Sequence, residues 1–137
     1  MNLRTIKMRK GSTAYSLYRE CKKLFDCWCW NEEELKKVKS ERTTDKDYAI
    51  QVQDTIEGDE DLKKILADEI KEKGIETITL EERLQFEIDY FKETAKHLDI
   101  MNITLCAGSR CSDGDVPCVY WSDGKLRVGW YFPGRAR

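Results

Sequence analysis

The sequence predicts an α+β fold in which N-terminal and central helices pack on a small C-terminal antiparallel β-sheet. Apolar residues recur at helical spacing through much of residues 12–98. Residues 116–132 then hold two runs rich in Val, Tyr, Trp and Phe around an Asp-Gly turn, which predicts a β-hairpin. A length of 137 residues is typical of one domain, with a helical part at about 12–98 and a cysteine-rich β part at about 100–134.

Composition excludes some classes of protein and favours others. No apolar run reaches the roughly 18 residues that a membrane span needs, and the N-terminus lacks the apolar core of a secretory signal. We therefore expect a cytoplasmic protein whose six cysteines serve metal binding, catalysis or burial and not disulfides. The net charge of −2 hides a segregation, since both ends of the chain are basic and the middle is acidic.

The first third predicts one strand-like segment and one helix. Residues 1–10 alternate apolar and cationic side chains, which suits a short strand or a basic arm. The hydroxyl of Thr13 can cap a helix over 14–30. Cys21 then lies in the middle of its apolar face, Cys29 at the edge and Cys27 on the polar side. That face comprises Leu17, Cys21, Leu24 and Trp28.

The central third predicts further helices. Asn31 and Glu34 resemble a capping box for a new or kinked helix. Residues 48–56 fit both a strand and a helix, and helix is preferred. Helical spacing is clearer over 60–73, which ends at Gly74.

The strongest helix prediction covers residues 80–98, with Thr79 and Glu82 as its capping box. Its apolar face comprises Leu84, Ile88, Phe91, Ala95 and Leu98. A short strand at 103–106 is expected to follow.

Three cysteines on or beside a Gly/Ser/Asp loop predict a metal site. They are Cys106, Cys111 and Cys118. Their thiolates could converge on one tetrahedral zinc ion that staples the loop to the sheet. Cys29 is the first choice for the fourth ligand, and Cys27 or His97 are the others. Alternatively, Cys106 and Cys118 face the core and Cys111 is an exposed thiol.

Catalytic motifs are not evident. The chain has no phosphate-binding glycine loop, GxSxG or HExxH. His97, the only histidine, lies one position off the helix stripe, which favours a surface or helix-end role over pairing with a thiol. Enzyme is thus the weaker class, and a thiol enzyme using Cys111 with His97 remains an alternative.

The stretch from Asn102 to Trp121, NITLCAGSRCSDGDVPCVYW, with the hairpin after it, resembles the tail of small accessory proteins carried by phages and mobile elements of Gram-positive bacteria. The resemblance covers about a quarter of the chain and carries no catalytic motif. It implies a zinc-containing anti-CRISPR protein that binds a type II Cas9 nuclease stoichiometrically and blocks DNA loading in the host cytoplasm.

The charge pattern predicts where such a host protein would bind. A DNA-handling nuclease is lined with Lys and Arg, so acidic residues on the solvent faces of helices 60–73 and 80–98 would speed association. The residues chosen are Glu69, Glu72 and Glu87, with Trp121 or Tyr131 of the hairpin as anchors. A zinc-containing nucleic-acid regulator remains the main alternative, because the C-terminus interleaves aromatic and cationic residues.

Overall fold

The computed structural model describes residues 3–53, 78–98, 104–112 and 114–131, and it confirms an α+β fold. In these residues the α-helices are α1 (Ala14–Leu24) and α2 (Leu80–Thr94), and Glu32–Lys37 forms a 3-10 helix. The strands are β1 (Leu3–Met8), β2 (Cys27–Cys29), β3 (Lys39–Ser40), β4 (Tyr48–Gln53), β5 (Thr104–Leu105), β6 (Ser109–Arg110), β7 (Val116–Ser122) and β8 (Lys125–Tyr131). None of the described helices is long and apolar enough to cross a membrane. The predicted helix at 60–73, with Glu69 and Glu72, lies outside the described residues.

The described strands form three sheets. β1 and β4 make an antiparallel pair, and β3 pairs with β6. The largest sheet has the order β2-β8-β7-β5, in which β2 is parallel to β8 and the other pairs are antiparallel. β2 is therefore an edge strand of this sheet.

The C-terminal hairpin is confirmed, and its turn follows from two residues. β7 and β8 pair from Val116↔Tyr131 to Ser122↔Lys125. Asp123 and Gly124 connect them with φ of 53° and 75°. Positive φ at both central positions is the requirement of a type I′ turn, which matches the right-handed twist of the flanking strands.

Helix α2 begins where the capping box predicted, and the box is part of a larger network. Thr79 Oγ1 accepts from the Glu82 amide, and the Glu82 carboxylate accepts from the Thr79 amide. That carboxylate is fully buried and also accepts from Arg42 Nε at 2.7 Å and the Tyr48 hydroxyl at 2.8 Å. The cap thereby joins α2 to β4 and to the loop before it.

The first helix is shorter than predicted. α1 ends at Leu24, Phe25 is extended, and Cys27–Cys29 forms β2 instead of a last helical turn. The physical reason is that cysteine and tryptophan alternate over residues 27–30, which suits the two faces of a strand. As a strand, the segment forms backbone hydrogen bonds with β8. Cys21 is fully buried as expected, whereas Leu24 and Trp28 are exposed.

The preference for a helix at 48–56 was wrong for the part that is described. Tyr48–Gln53 is a strand, and Ile50 lies opposite Ile6 of β1. The same pairing decides between the two interpretations of residues 1–10, because Leu3–Met8 is a strand and not a basic arm. Ile6 and Met8 point into the core.

We expect the capping network to make the protein acid-sensitive. Burial raises the pKa of Glu82, but Arg42, the Thr79 amide and Tyr48 outweigh it and hold that pKa below the ordinary value of 4.5. A lowered folded-state pKa gives stability that is complete above the unfolded value and is lost as pH falls through the folded value. Urea unfolding at a series of pH values should show this loss, and Glu82→Gln should reduce it. An equal pH dependence in both proteins would contradict the assignment.

Candidate functional site

Exposed apolar side chains are concentrated in one short segment. Among the described residues, the large hydrophobic side chains that are exposed are Leu24 at 37%, Trp28 at 41% and Trp30 at 65%. All three lie within seven residues: Leu24 ends α1, Trp28 is in β2, and Trp30 directly follows β2. Two tryptophans in water at one sheet edge carry a large unfavourable exposed area, which is typical of a binding surface.

The edge strand explains how the tryptophans reach the surface. Successive side chains of a strand point to opposite faces, so Cys27 and Cys29 pack against the core while Trp28 faces outward. The Arg127 guanidinium lies over Trp28, with Cζ 5.5 Å from the ring centroid. The Trp30 and Trp130 ring centroids are 6.3 Å apart. Trp28, Trp30, Arg127 and Trp130 are called the tryptophan patch below.

Charges of both signs surround the tryptophan patch. Arg127 pairs with Asp123 at 3.5 Å, and Lys22 pairs with Glu32 at 3.6 Å. These charges are solvent-exposed in part, so they add little stability. Among the described residues, charges of both signs lie beside the patch, whereas single-stranded nucleic acids need a continuous positive groove. This mixture suits a protein partner better. The charged residues near the patch residues in the sequence are Lys22, Lys23, Asp26, Glu32, Glu33, Asp123 and Lys125.

Of the two anchors predicted on the hairpin, Trp121 does not form this surface. Trp121 is half-buried, and its ring stacks on His97 with centroids 3.5 Å apart and planes within 7°. Tyr131 is the last residue of β8, and its side chain lies outside the described part of the chain. The prediction of Trp121 as an exposed anchor is therefore corrected, because its face is covered by the imidazole.

Glu87 was expected on the solvent face of α2 and is instead fully buried. The error arose because α2 is covered on more than its apolar stripe: it packs against α1, β1 and β7. Glu87 Oε1 accepts from Arg83 Nη1 at 2.9 Å, and Oε2 lies 2.9 Å from His97 Nδ1. Burial raises the pKa of Glu87, but Arg83 and then His97 outweigh it and hold the pKa below its ordinary value.

His97 was predicted on the surface or at the helix end, and it lies just beyond the end of α2 in a box of aromatic rings, with its side chain 15% exposed. Ala95 ends α2 in the left-handed conformation, with φ of 60°, and the chain after it turns back. The imidazole then stacks between Trp121 and Phe91, whose centroid is 5.0 Å away, while Phe25 meets it edge-on at 4.9 Å. Within the described ranges, its contacts are these rings and Glu87, so the geometry does not favour a thiol–imidazole pair.

The three loop cysteines are all buried, at 0% for Cys106, 5% for Cys111 and 3% for Cys118. Cys111 is thus not the exposed thiol of the alternative interpretation. The backbone amide of Cys111 donates a hydrogen bond to the carbonyl of Asp115. The Cys118 Sγ would lie 3.6 Å from a Cβ atom at position 129, which is glycine. No group of three His, Cys, Asp or Glu residues in the described part of the chain is arranged to hold a metal ion. A zinc ion held by Cys106, Cys111, Cys118 and Cys29 stays a prediction.

The cysteines near α1 are poor nucleophiles. Burial, followed by the negative charge of Glu87, raises the pKa of Cys27 to about 12. Burial raises the pKa of Cys29 to about 11, although the Asn31 amide opposes it, and that of Cys21 rises well above its ordinary value for the same main reason. Since the thiolate is the reactive form, these thiols are largely unreactive at neutral pH.

The zinc prediction has a direct test. Native mass spectrometry of the purified protein should show one metal, and Cys111→Ser or Cys118→Ser should lose it together with a large part of the thermal stability. Cys21→Ser is the matched control, because that thiol is buried in the core and is not among the predicted ligands. Equal melting temperatures with and without a strong chelator, in protein that holds no metal, would contradict the prediction.

Comparison with protein-family models, curated proteins and solved structures found no match to this chain. The functional argument therefore depends on the tryptophan patch and the residues around it. Sequence reasoning missed Trp28 and Trp30, because residues 14–30 were assigned to one helix. The alternation of Cys and Trp over residues 27–30 is the signal that could have placed both tryptophans outside.

Proposed function

We propose that the chain acts by stoichiometric binding to a partner protein, with the tryptophan patch as its docking surface. The single observation that carries the proposal is the exposure of Trp28 and Trp30 beside Arg127 at a sheet edge. Trp and Arg are the residues that most often supply binding energy at protein interfaces. The mixture of charges around them favours a protein over a nucleic acid.

The resemblance of residues 102–121 supplies the proposed partner, a host defence nuclease of the type II Cas9 class. In this proposal the chain is an anti-CRISPR protein of a phage or mobile element that blocks target DNA loading. The acidic surface proposed to assist association is reduced to Glu69 and Glu72, because Glu87 is buried in an ion pair. A role without turnover is supported by the enclosed imidazole, since His97 contacts aromatic rings and Glu87.

Binding to a purified Cas9–guide complex, compared with binding to free DNA, tests the proposal. The chain should bind the complex and should not bind single- or double-stranded DNA at low salt. Binding to DNA that falls steeply with salt, without binding to the nuclease, would contradict the proposal and favour the nucleic-acid regulator.

A further inference from the structure

The outer edge of β2 has backbone groups directed away from its own sheet. The Asp26 carbonyl accepts from Leu126, and the Trp30 amide donates to Val128. Backbone groups of successive strand residues alternate in direction, so this ladder turns the amides and carbonyls of Cys27 and Cys29 to the opposite side. Within the described ranges, no strand pairs with that side of β2.

The alternation fixes how a second β2 strand would fit there. Antiparallel pairing about a two-fold axis at Trp28 sets Cys27 of the first copy opposite Cys29 of the second. By symmetry, Cys29 of the first copy lies opposite Cys27 of the second. All four outward amides and carbonyls are then used, in two hydrogen-bonded pairs on either side of Trp28. The Trp28 side chains of the two copies meet at the axis, where an antiparallel pair brings side chains closest.

The charges beside β2 favour this antiparallel arrangement. The last turn of α1 carries Lys22 and Lys23, and the first turn of the 3-10 helix carries Glu32, Glu33 and Glu34. A two-fold axis sets the cationic segment of one copy towards the anionic segment of the other, whereas a parallel arrangement would set like charges together. Lys22 already pairs with Glu32 in its own copy. Lys23 and Glu33 are exposed, and Glu33 pairs at 3.3 Å with Lys36 of its own copy. That pair is solvent-exposed and therefore weak, so Glu33 can turn to Lys23 of the second copy.

We infer that two copies of this chain pair through the outer edge of β2, with Trp28 at the two-fold axis and Lys23 facing Glu33 of the second copy. Such a contact is isologous, as in most homodimers. It also covers Trp28 and the unpaired side of β2, which would otherwise be open to aggregation. The inference goes beyond the proposed function, because the dimer forms without a partner and would compete with one for the tryptophan patch.

Sedimentation equilibrium over a range of protein concentrations tests the inference. It is measured for the parent and for two variants in which one charge is reversed. The parent should show a monomer–dimer equilibrium. Lys23→Glu alone and Glu33→Lys alone should each weaken the dimer by roughly tenfold or more, because two attractive contacts become repulsive. An equal mixture of the two variants should restore it as a heterodimer. Lys7→Glu, which reverses an exposed charge on β1, is the matched control and should dimerise like the parent.

Hydrogen exchange reports whether the edge of β2 is the contact. The amides of Cys27 and Cys29 should gain protection as the parent concentration rises, and those of the Lys23→Glu variant should not. A parent that is monomeric at all concentrations would overturn the inference, as would a dimer that both reversals leave unchanged. Neither result depends on a nuclease, so failure here leaves the proposed function standing, and failure to bind a nuclease leaves the dimer standing.

Discussion

Glu87→Ala is expected to cause the largest loss of stability of any single change considered for this protein. The substitution removes the carboxylate that pairs with Arg83, which is only 1% exposed, and with His97. Breaking a buried ion pair from one side typically costs about 3–5 kcal/mol, because the charge that remains is still buried and has lost the attraction of the carboxylate. For a chain of this size the melting temperature should fall by roughly 10 °C or more. Circular dichroism during thermal and urea unfolding measures both quantities.

A matched control separates this effect from the loss of any glutamate on α2. Glu93 also pairs with an arginine, Arg4, but its side chain is 62% exposed. Solvent-exposed pairs contribute at most about 1 kcal/mol, so Glu93→Ala should change the free energy of unfolding little. If the two substitutions destabilise equally, the buried position of Glu87 is wrong. Glu87→Lys should be worse than Glu87→Ala, because it sets a second positive charge beside Arg83.

The second large effect is expected on binding and not on folding. Replacing both Trp28 and Trp30 with alanine should weaken binding to the partner at least roughly 100-fold, since truncating an interface hot spot costs about 2 kcal/mol or more. The melting temperature should fall less than with Glu87→Ala, because Trp30 is 65% exposed and Trp28 is 41% exposed. Surface plasmon resonance with the Cas9–guide complex, at concentrations where the chain is monomeric, measures the affinity.

Tyr15→Ala is the control for the tryptophan variant. Tyr15 is an aromatic residue in the first turn of α1, where its ring lies near Arg19 and Lys36 and not in the tryptophan patch. It should leave the affinity unchanged. If the double tryptophan variant binds like the parent while Arg135→Glu with Arg137→Glu abolishes binding, the basic C-terminal segment is the contact surface instead.

Local signals predicted those parts of the fold that short-range chemistry determines. Asp123-Gly124 requires a tight turn whatever surrounds it, and Thr79 with Glu82 forms its capping box from residues three apart. The start of α2 and the whole hairpin were therefore predictable. These elements need no information about distant parts of the chain.

Tertiary contacts decide the elements that the sequence did not predict. Residues 27–29 satisfy a helical spacing equally well, and the pairing with β8, a hundred residues away, makes them a strand. Glu87 lies off the apolar stripe of α2, yet Arg83 on the same helix and His97 beyond its end compensate its charge and let it be buried. The candidate site depends on the strand at residues 27–29, because that strand brings Trp28 to the surface. Sequence reasoning did not predict the strand, and it therefore placed the binding surface on the hairpin and the acidic helices.

Titration of the nuclease with the chain tests most directly whether the protein acts by binding alone. DNA cleavage should decline in proportion to the added protein, reach completion near one molecule per nuclease, and recover when the chain is removed. The Trp28→Ala, Trp30→Ala variant should need far more protein for the same effect. Complete silencing by a small fraction of an equivalent, with a nuclease that stays inactive after removal of the chain, would contradict the account and indicate an enzyme.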